Sequence, residues 1–99
     1  MEPINVVFED DYADVDIILV PDSLRESIEE YLQQFFNWAI APENRSNFEV
    51  VNPRGDKIVS IGTIEFICWL NEYVCNNLQP AIILKQHTAF LEDAPVIEF

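Results

Sequence analysis

The chain has 99 residues, of which 18 are acidic and five are basic, so its formal net charge is −13. Because 49% of the residues are hydrophobic and 12% are aromatic, the composition excludes an acidic disordered tail and indicates one folded domain over residues 1–99. The excess negative charge disfavours binding to nucleic acid or to an anionic membrane surface and favours a basic protein partner. The alternative is that the charge only keeps the domain soluble.

The first 40 residues predict two strands and one long helix. Residues 4–8 and 15–20 are rich in apolar and β-branched side chains, which is typical of strands. Pro21 ends the second strand, and Ser23 and Glu26 have the spacing of a capping box, so a helix is expected from Ser23 to about Ile40. Apolar residues at helical spacing predict its buried face, which comprises Leu24, Ile28, Tyr31, Leu32, Phe35, Phe36, Trp38 and Ala39.

The rest of the chain predicts a hairpin, a second helix and two further strands. Residues 42–46 form a loop, and residues 48–51 and 57–61 are strands on either side of a turn. Thr63 is expected to be the N-cap of a helix that runs to about Asn77. Strands are then expected at 81–85, extending towards Phe90, and at 95–99. The predicted fold is α+β, with two helices packed on a mostly antiparallel sheet in the order β-β-α-β-β-α-β-β.

No group of residues in the sequence is typical of an enzyme, a cofactor site or a metal site. His87 is the only histidine, and nothing in the sequence places it beside a nucleophile. Cys68 and Cys75 lie seven residues apart in one predicted helix, about 10.5 Å of axial rise, which exceeds the roughly 7 Å limit for a disulfide. We expect both cysteines to be buried and reduced.

The N-terminal residues contain no basic segment followed by an apolar one, and no apolar run approaches the roughly 20 residues of a membrane span. A cytoplasmic location is therefore predicted.

The segment between the first two strands carries Glu9, Asp10, Asp11 and Asp14. It is expected to be either a solvated hairpin tip or an electrostatic docking surface for a basic partner. A calcium site is a weaker alternative, because an EF-hand loop needs a glycine at its sharp turn and this stretch has none.

The second helix offers a more specific candidate. Glu65, Trp69 and Glu72 fall close together on its polar side, so Trp69 is expected either to anchor a partner or to be covered by the rest of the fold. The first helix adds three carboxylates on its polar face. The complete predicted partner-binding set is Glu9, Asp10, Asp11, Asp14, Glu26, Glu29, Glu30, Glu65, Trp69 and Glu72.

Two segments resemble the immunity proteins encoded beside bacterial polymorphic toxins, including those of contact-dependent growth inhibition. They are residues 20–38, which lead from Val20-Pro21-Asp22 into a helix ending Phe35-Phe36-Asn37-Trp38, and residues 66–74. The resemblance implies a stoichiometric inhibitor that binds and neutralises a cognate basic toxin, for which a nuclease is the expected activity. The alternatives are an acidic DNA mimic, of the anti-restriction or anti-CRISPR type, and an adaptor subunit of a larger assembly.

Overall fold

A four-stranded sheet forms the centre of the fold in the computed structural model, which describes residues 1–99. β1 (Pro3–Val7) pairs with β2 (Val15–Leu19) in antiparallel orientation, and β2 pairs in the same way with β5 (Ile82–Thr88). β6 (Val96–Glu98) lies parallel to β1 on its other side, which gives the order β5-β2-β1-β6. The predicted α+β class, the mostly antiparallel sheet and the edge position of the last strand are confirmed.

The helix predicted from Ser23 to about Ile40 is divided into two segments, and a third helical segment follows it, so the predicted count of two helices is wrong. α1 (Asp22–Arg25) begins directly after Pro21, so Ser23 lies inside its first turn and forms no capping bond. Ser27 then departs from helical geometry, with φ −109° and ψ 17°, before α2 (Ile28–Ile40) begins.

α2 ends where the residue preceding a proline must become extended. Ala41 has ψ 142°, and Pro42 starts the short helix α3 (Pro42–Arg45) where a loop was expected. The Asn44 side-chain amide donates to the Trp38 carbonyl at 2.9 Å, which satisfies one of the free carbonyls at the end of α2.

The apolar stripe predicted for this region packs in the main core, together with buried residues of the sheet. Five of its members are buried, and Tyr31, Phe36 and Trp38 pack against the core while remaining partly exposed. Phe35 is fully buried and its ring lies within 6.5 Å, centroid to centroid, of five other aromatic rings. The buried members of the stripe are Leu24, Ile28, Leu32, Phe35 and Ala39.

α4 (Thr63–Tyr73) packs beside α2 and is shorter than the helix predicted from the sequence. Its N-cap is the extended Gly62 and not Thr63, whose hydroxyl is used elsewhere in the core. After Val74 the chain turns back towards the sheet. The Asn71 side chain bonds both the N–H and the carbonyl of Ala81, which fixes the start of β5 beside the end of α4.

The two cysteines differ in burial. Cys75 is buried, and desolvation raises the pKa of its thiol, whereas Cys68 is exposed and does not belong to the core as expected. Both are free thiols, as predicted.

The opposite face of the sheet is covered by the segment 89–95, which connects β5 to β6. Asn5 is fully buried on this face, and its amide group both donates to the carbonyl and accepts from the N–H of Leu91 at 2.9 Å. A second, smaller core forms there from Val7, Val15 and Ile17, with Phe90 and Val96 packed against it. The sheet therefore buries apolar side chains on both faces.

The predicted hairpin is confirmed as a separate two-stranded sheet. β3 (Glu49–Val51) pairs with β4 (Lys57–Val59), and Gly55 in the turn has φ +86°, a conformation that glycine adopts without strain. Phe48 packs on Trp38 at the base of the hairpin, whereas Val50 and Ile58 lie opposite each other near its tip and are about half exposed. None of the helices has both the length and the apolar character that crossing a membrane requires.

Candidate functional site: an acidic end of the sheet

β1 and β2 are joined by the acidic turn, which we define as residues 8–14. Glu9 and Asp10 have left-handed φ values of 52° and 58°, and the N–H of Asp11 donates to the Phe8 carbonyl at 3.0 Å. This is the geometry of a type I′ turn, whose twist matches that of antiparallel strands. Aspartate tolerates this conformation, but a left-handed glutamate costs about 1 kcal/mol. The turn therefore holds two neighbouring carboxylates in a fixed position at the end of the sheet.

One side of the acidic turn borders a pocket of about 440 Å³, which we call the inner pocket. Asp14 contacts the exposed His87, with 3.1 Å between a carboxylate oxygen and the ring Nδ1. His87 itself has a left-handed φ of 52°. No lysine or arginine lines this pocket, whose walls are Phe8, Glu9, Asp11, Asp14, Asp16 and His87.

Asp16, at the base of the inner pocket, is buried and bonded to two other elements. Its carboxylate accepts a hydrogen bond from the Thr63 hydroxyl at 2.6 Å and one from the His87 N–H at 3.1 Å. Thr63 is the first residue of α4, where a negative charge is favourable to the helix dipole. Asp16, in β2, therefore ties the strand that follows the acidic turn to α4 and β5, and its oxygens are occupied by structural contacts.

The other side of the acidic turn borders a second cavity of about 460 Å³, which we call the edge slot. Its apolar floor and acidic rim come from the acidic turn, from α2 and from β6. No lysine or arginine lines it. Its lining residues are Tyr12, Glu29, Leu32, Gln33, Phe36, Val96 and Glu98.

Tyr12 connects the acidic turn to β6. Its hydroxyl donates to a Glu98 carboxylate oxygen at 2.9 Å, and its ring packs edge-on against Phe90. The hydrogen bond to Glu98 raises the pKa of Tyr12 above its ordinary value, and the charges of Glu98 and Asp10 raise it further. The pKa of this phenol thus reports the negative potential at the acidic end.

The structure brings together some of the predicted partner-binding residues and separates others. Glu9, Asp11 and Asp14 line the inner pocket, and Glu29 lines the edge slot on the far side of the same turn. The exposed Asp10 belongs to that turn, and Glu26 and Glu30 are exposed beside the start of α2. Glu65 and Glu72 lie on α4 and line neither cavity.

Trp69 belongs to the core, which was one of its two expected roles. It is 7% exposed and packs on Phe35, Phe66 and Tyr73 with ring centroids 5.9 to 6.4 Å apart. Trp69 faces α2, since its ring contacts Phe35 of that helix. Trp69 and Ile67 mark the two borders of the buried side of α4, and Cys68 lies on the exposed side. A side chain this buried presents no surface on which a partner could dock.

Sequence reasoning missed Tyr12 and Glu98 as members of the acidic end. A local signal existed for Tyr12, since a tyrosine inside an acidic turn is an exposed aromatic beside several carboxylates. Glu98 had no such signal, because only the parallel pairing of β6 with β1 brings it next to the turn.

Comparisons with known proteins add no relatives to this description. No protein-family model matches the chain, and neither the curated proteins nor the solved structures include a match. The structure contains no group of three or more histidine, cysteine, aspartate or glutamate side chains arranged to hold a metal ion.

Proposed function

We propose that this protein is a stoichiometric inhibitor of the immunity-protein kind, which binds a cognate basic toxin through the acidic end of its sheet. The observation that carries the proposal is the convergence of carboxylates around two adjoining cavities that no lysine or arginine lines. Such a surface attracts a cationic partner and repels anionic ones. A toxin that acts on nucleic acid is the expected partner class, because it must be basic where it contacts phosphate.

The arrangement of basic residues supports a binding surface at this end. Arg25 pairs with Glu2 and Arg45 pairs with Glu49, at 3.4 and 3.3 Å. Arg54, Lys57 and Lys85 form no ion pair. None of the five basic residues lines either cavity at the acidic end. A partner's lysines and arginines would therefore meet carboxylates there without competition from a lysine or arginine of the same chain.

The shape of the acidic end favours a surface that receives a partner's side chains over the DNA-mimic alternative. A DNA mimic presents rows of carboxylates on a raised surface at the spacing of duplex phosphates. Here the carboxylates surround two concave cavities with apolar side chains in their walls, among them Phe8, Leu32 and Phe36. Concave sites with apolar walls suit side chains from another protein, which supply the slow dissociation that surface charge alone does not.

The direct test uses the protein encoded next to this one in its source genome. The neighbouring gene product is expressed with and without this chain, and growth, complex stoichiometry and toxin activity are measured. We expect growth arrest without the chain, rescue with it, and full inhibition at one chain per toxin. A neighbouring product that is harmless, or a toxin whose activity this chain leaves unchanged, would refute the proposal.

A second measurement tests the binding surface. Replacing Asp10→Asn, Asp14→Asn and Glu29→Gln together removes three charges from the acidic end, and asparagine tolerates the left-handed conformation of residue 10. We expect the association rate with the toxin to fall by roughly tenfold at low salt, because rim charges steer encounter. Glu43→Gln, Glu65→Gln and Glu72→Gln remove the same charge elsewhere and should change the rate by less than about threefold. If both triple variants lowered the association rate equally, the attraction would come from the net charge of the chain and not from the acidic end.

A further inference from the structure

The edge slot has walls on opposite faces of the sheet. Leu32 and Phe36, from α2, belong to the face that packs against the helices. Val96 packs with the smaller core on the other face, as does Phe90, which Tyr12 contacts. A cavity that spans both faces at the outermost strand has that strand's backbone as its base. The slot therefore runs along the free edge of β6.

The backbone groups of β6 at this edge have no partner. The Pro95 carbonyl accepts from the N–H of Asn5, and the N–H of Phe99 donates to the Val7 carbonyl, so residues 95 and 99 point towards β1. Backbone direction alternates along a strand, which turns the N–H and carbonyl of Val96 and Glu98 away from β1 and into the slot. These four groups are free to pair with another strand.

We propose, on the basis of the proposed function, that the edge slot receives an extended cationic segment of the partner, which adds to the sheet as a fifth strand beside β6. Such strand addition obtains affinity from backbone hydrogen bonds and specificity from alternating side-chain pockets. The α2 wall extends from Glu29 to Phe36, about 10.5 Å of helix, which matches about three residues of an extended chain.

The positions of the carboxylates predict the pattern of the segment. Phe36 packs against Phe99 at the end of β6, with 5.3 Å between ring centroids, so Glu29, two turns earlier, lies towards the Val96 end. Glu29 is on the helix-covered face, whereas Glu98 is on the other face and at the other end. Because side chains alternate along a strand, basic residues that meet both carboxylates must lie an odd number of positions apart.

The other free edges of the molecule are less suited to this partner. The pairing of β5 with β2 contains register shifts, and its edge carries Lys85 and the left-handed His87, which are features that block strand addition. The β3–β4 hairpin carries two basic and two acidic side chains, so it offers no net attraction to a cationic segment. A second copy of this chain is disfavoured at β6, because each copy carries a net charge of −13.

The probe for this proposal is a capped peptide of about eight residues, built from valine and threonine with two lysines three positions apart. Its matched control has the same sequence with alternate backbone nitrogens methylated, which keeps the side chains and charge but prevents strand pairing. Binding and amide hydrogen exchange of the full chain are measured by NMR. At free peptide ten times above the dissociation constant, exchange at Val96 and Glu98 should slow by about tenfold, because these unpaired N–H groups then exchange only from the roughly one chain in eleven that carries no peptide. The control peptide should produce no such protection.

A pair of variants tests the same edge from the protein's side. Val96→Pro removes no hydrogen bond to β1, because the N–H that it lacks points away from that strand, a position where an edge strand accepts proline. Val96→Thr is the matched control, because it keeps that N–H and a β-branched side chain. We expect Val96→Pro to bind the peptide about tenfold more weakly than Val96→Thr, while its other amide signals stay at their wild-type positions.

The possible failures of the two proposals can be separated. No binding of the peptide, binding without protection at Val96 and Glu98, equal binding of the methylated control, or dimerisation of the chain through β6 would each overturn strand addition. None of these outcomes affects toxin neutralisation, which is measured with the neighbouring gene product. Conversely, a neighbouring gene product that is not toxic would refute the proposed function, whereas strand addition at the edge slot would still be tested by the peptide measurements.

Discussion

The acidic turn and the turn of the β3–β4 hairpin both reverse the chain between antiparallel strands, but they are held in different ways. The acidic turn is tied to β6 through Tyr12, and Asp16 binds the adjoining strand to α4 and β5. The β3–β4 turn is held only by its own residues, with Asn52 accepting the N–H groups of Arg54 and Asp56.

The two regions also differ in what they expose. The acidic turn presents carboxylates above a sheet that is buried on both faces, whereas the hairpin presents Val50, Val51 and Ile58 next to two unpaired cations. A two-stranded hairpin contributes little stability by itself in water. The strongly charged surface is thus built on the part of the molecule that is held by contacts to distant elements, whereas the hairpin is held mainly by its own residues.

The largest expected effect comes from the core beneath the acidic end. Phe35→Ala removes a fully buried ring from the centre of the aromatic cluster and should lower the free energy of unfolding by about 3–5 kcal/mol. Val51→Ala on the hairpin, where the side chain is 66% exposed, should change it by less than about 0.5 kcal/mol. Urea denaturation of both variants decides this, and similar midpoints would mean that the two regions are equally stabilising.

A smaller effect is expected from the side chains that hold each hairpin. Asp16→Ala leaves the buried Thr63 hydroxyl and the His87 N–H without their acceptor and should cost about 1–3 kcal/mol. Asn52→Ala exposes its two donors to water and should cost less than about 1 kcal/mol. Asp16→Asn, which keeps one acceptor oxygen, is the control and should fall between them. If Asn52→Ala were the more destabilising change, the hairpin would be the more firmly held region.

The smallest expected effect is on the ionisation of Tyr12. Glu98→Gln removes the charge and replaces the carboxylate acceptor with a weaker, neutral amide oxygen, so the pKa of Tyr12 should fall towards the ordinary value of 10.0. Because folding raises this pKa, the associated stability is complete below pH 10 and is lost as pH rises through the raised value. Glu29→Gln is the control, since it alters the same slot without contacting the phenol. NMR titration of ring-labelled tyrosine measures the Tyr12 pKa in both variants. An unchanged Tyr12 pKa in Glu98→Gln would contradict the contact between the acidic turn and β6.

The sequence predicted those features that depend on local periodicity. The buried stripe of α2 and the β3–β4 hairpin follow from side chains three to four residues apart or from a turn with glycine. The break at Ser27 was missed because the spacing of Ser23 and Glu26 is compatible with one continuous helix. Trp69 could not be assigned by spacing alone, since its burial depends on the packing of α4 beside α2 and its aromatic residues.

The candidate site was predictable in composition but not in arrangement. The carboxylates of the acidic turn and of α2 were identified, yet nothing local indicated that Glu29 and Glu98 border one slot. That proximity depends on β6 pairing in parallel with β1, which is a contact between distant parts of the chain. Strand pairing of this kind is decided by the complete core and not by the residues of either strand.

The Asn5 contacts imply an order of assembly. Asn5 donates to the carbonyl of Pro95, which is 90 residues away in sequence. Contacts of such long range slow the folding of a domain, because closing the long intervening loop costs conformational entropy. During synthesis, β1 and β2 can pair early, but the edge slot exists only after the final strand has been inserted beside them. The edge slot is therefore complete only when β6 has paired with β1, so under the proposed strand addition a chain that lacks this pairing would not engage a partner through this edge.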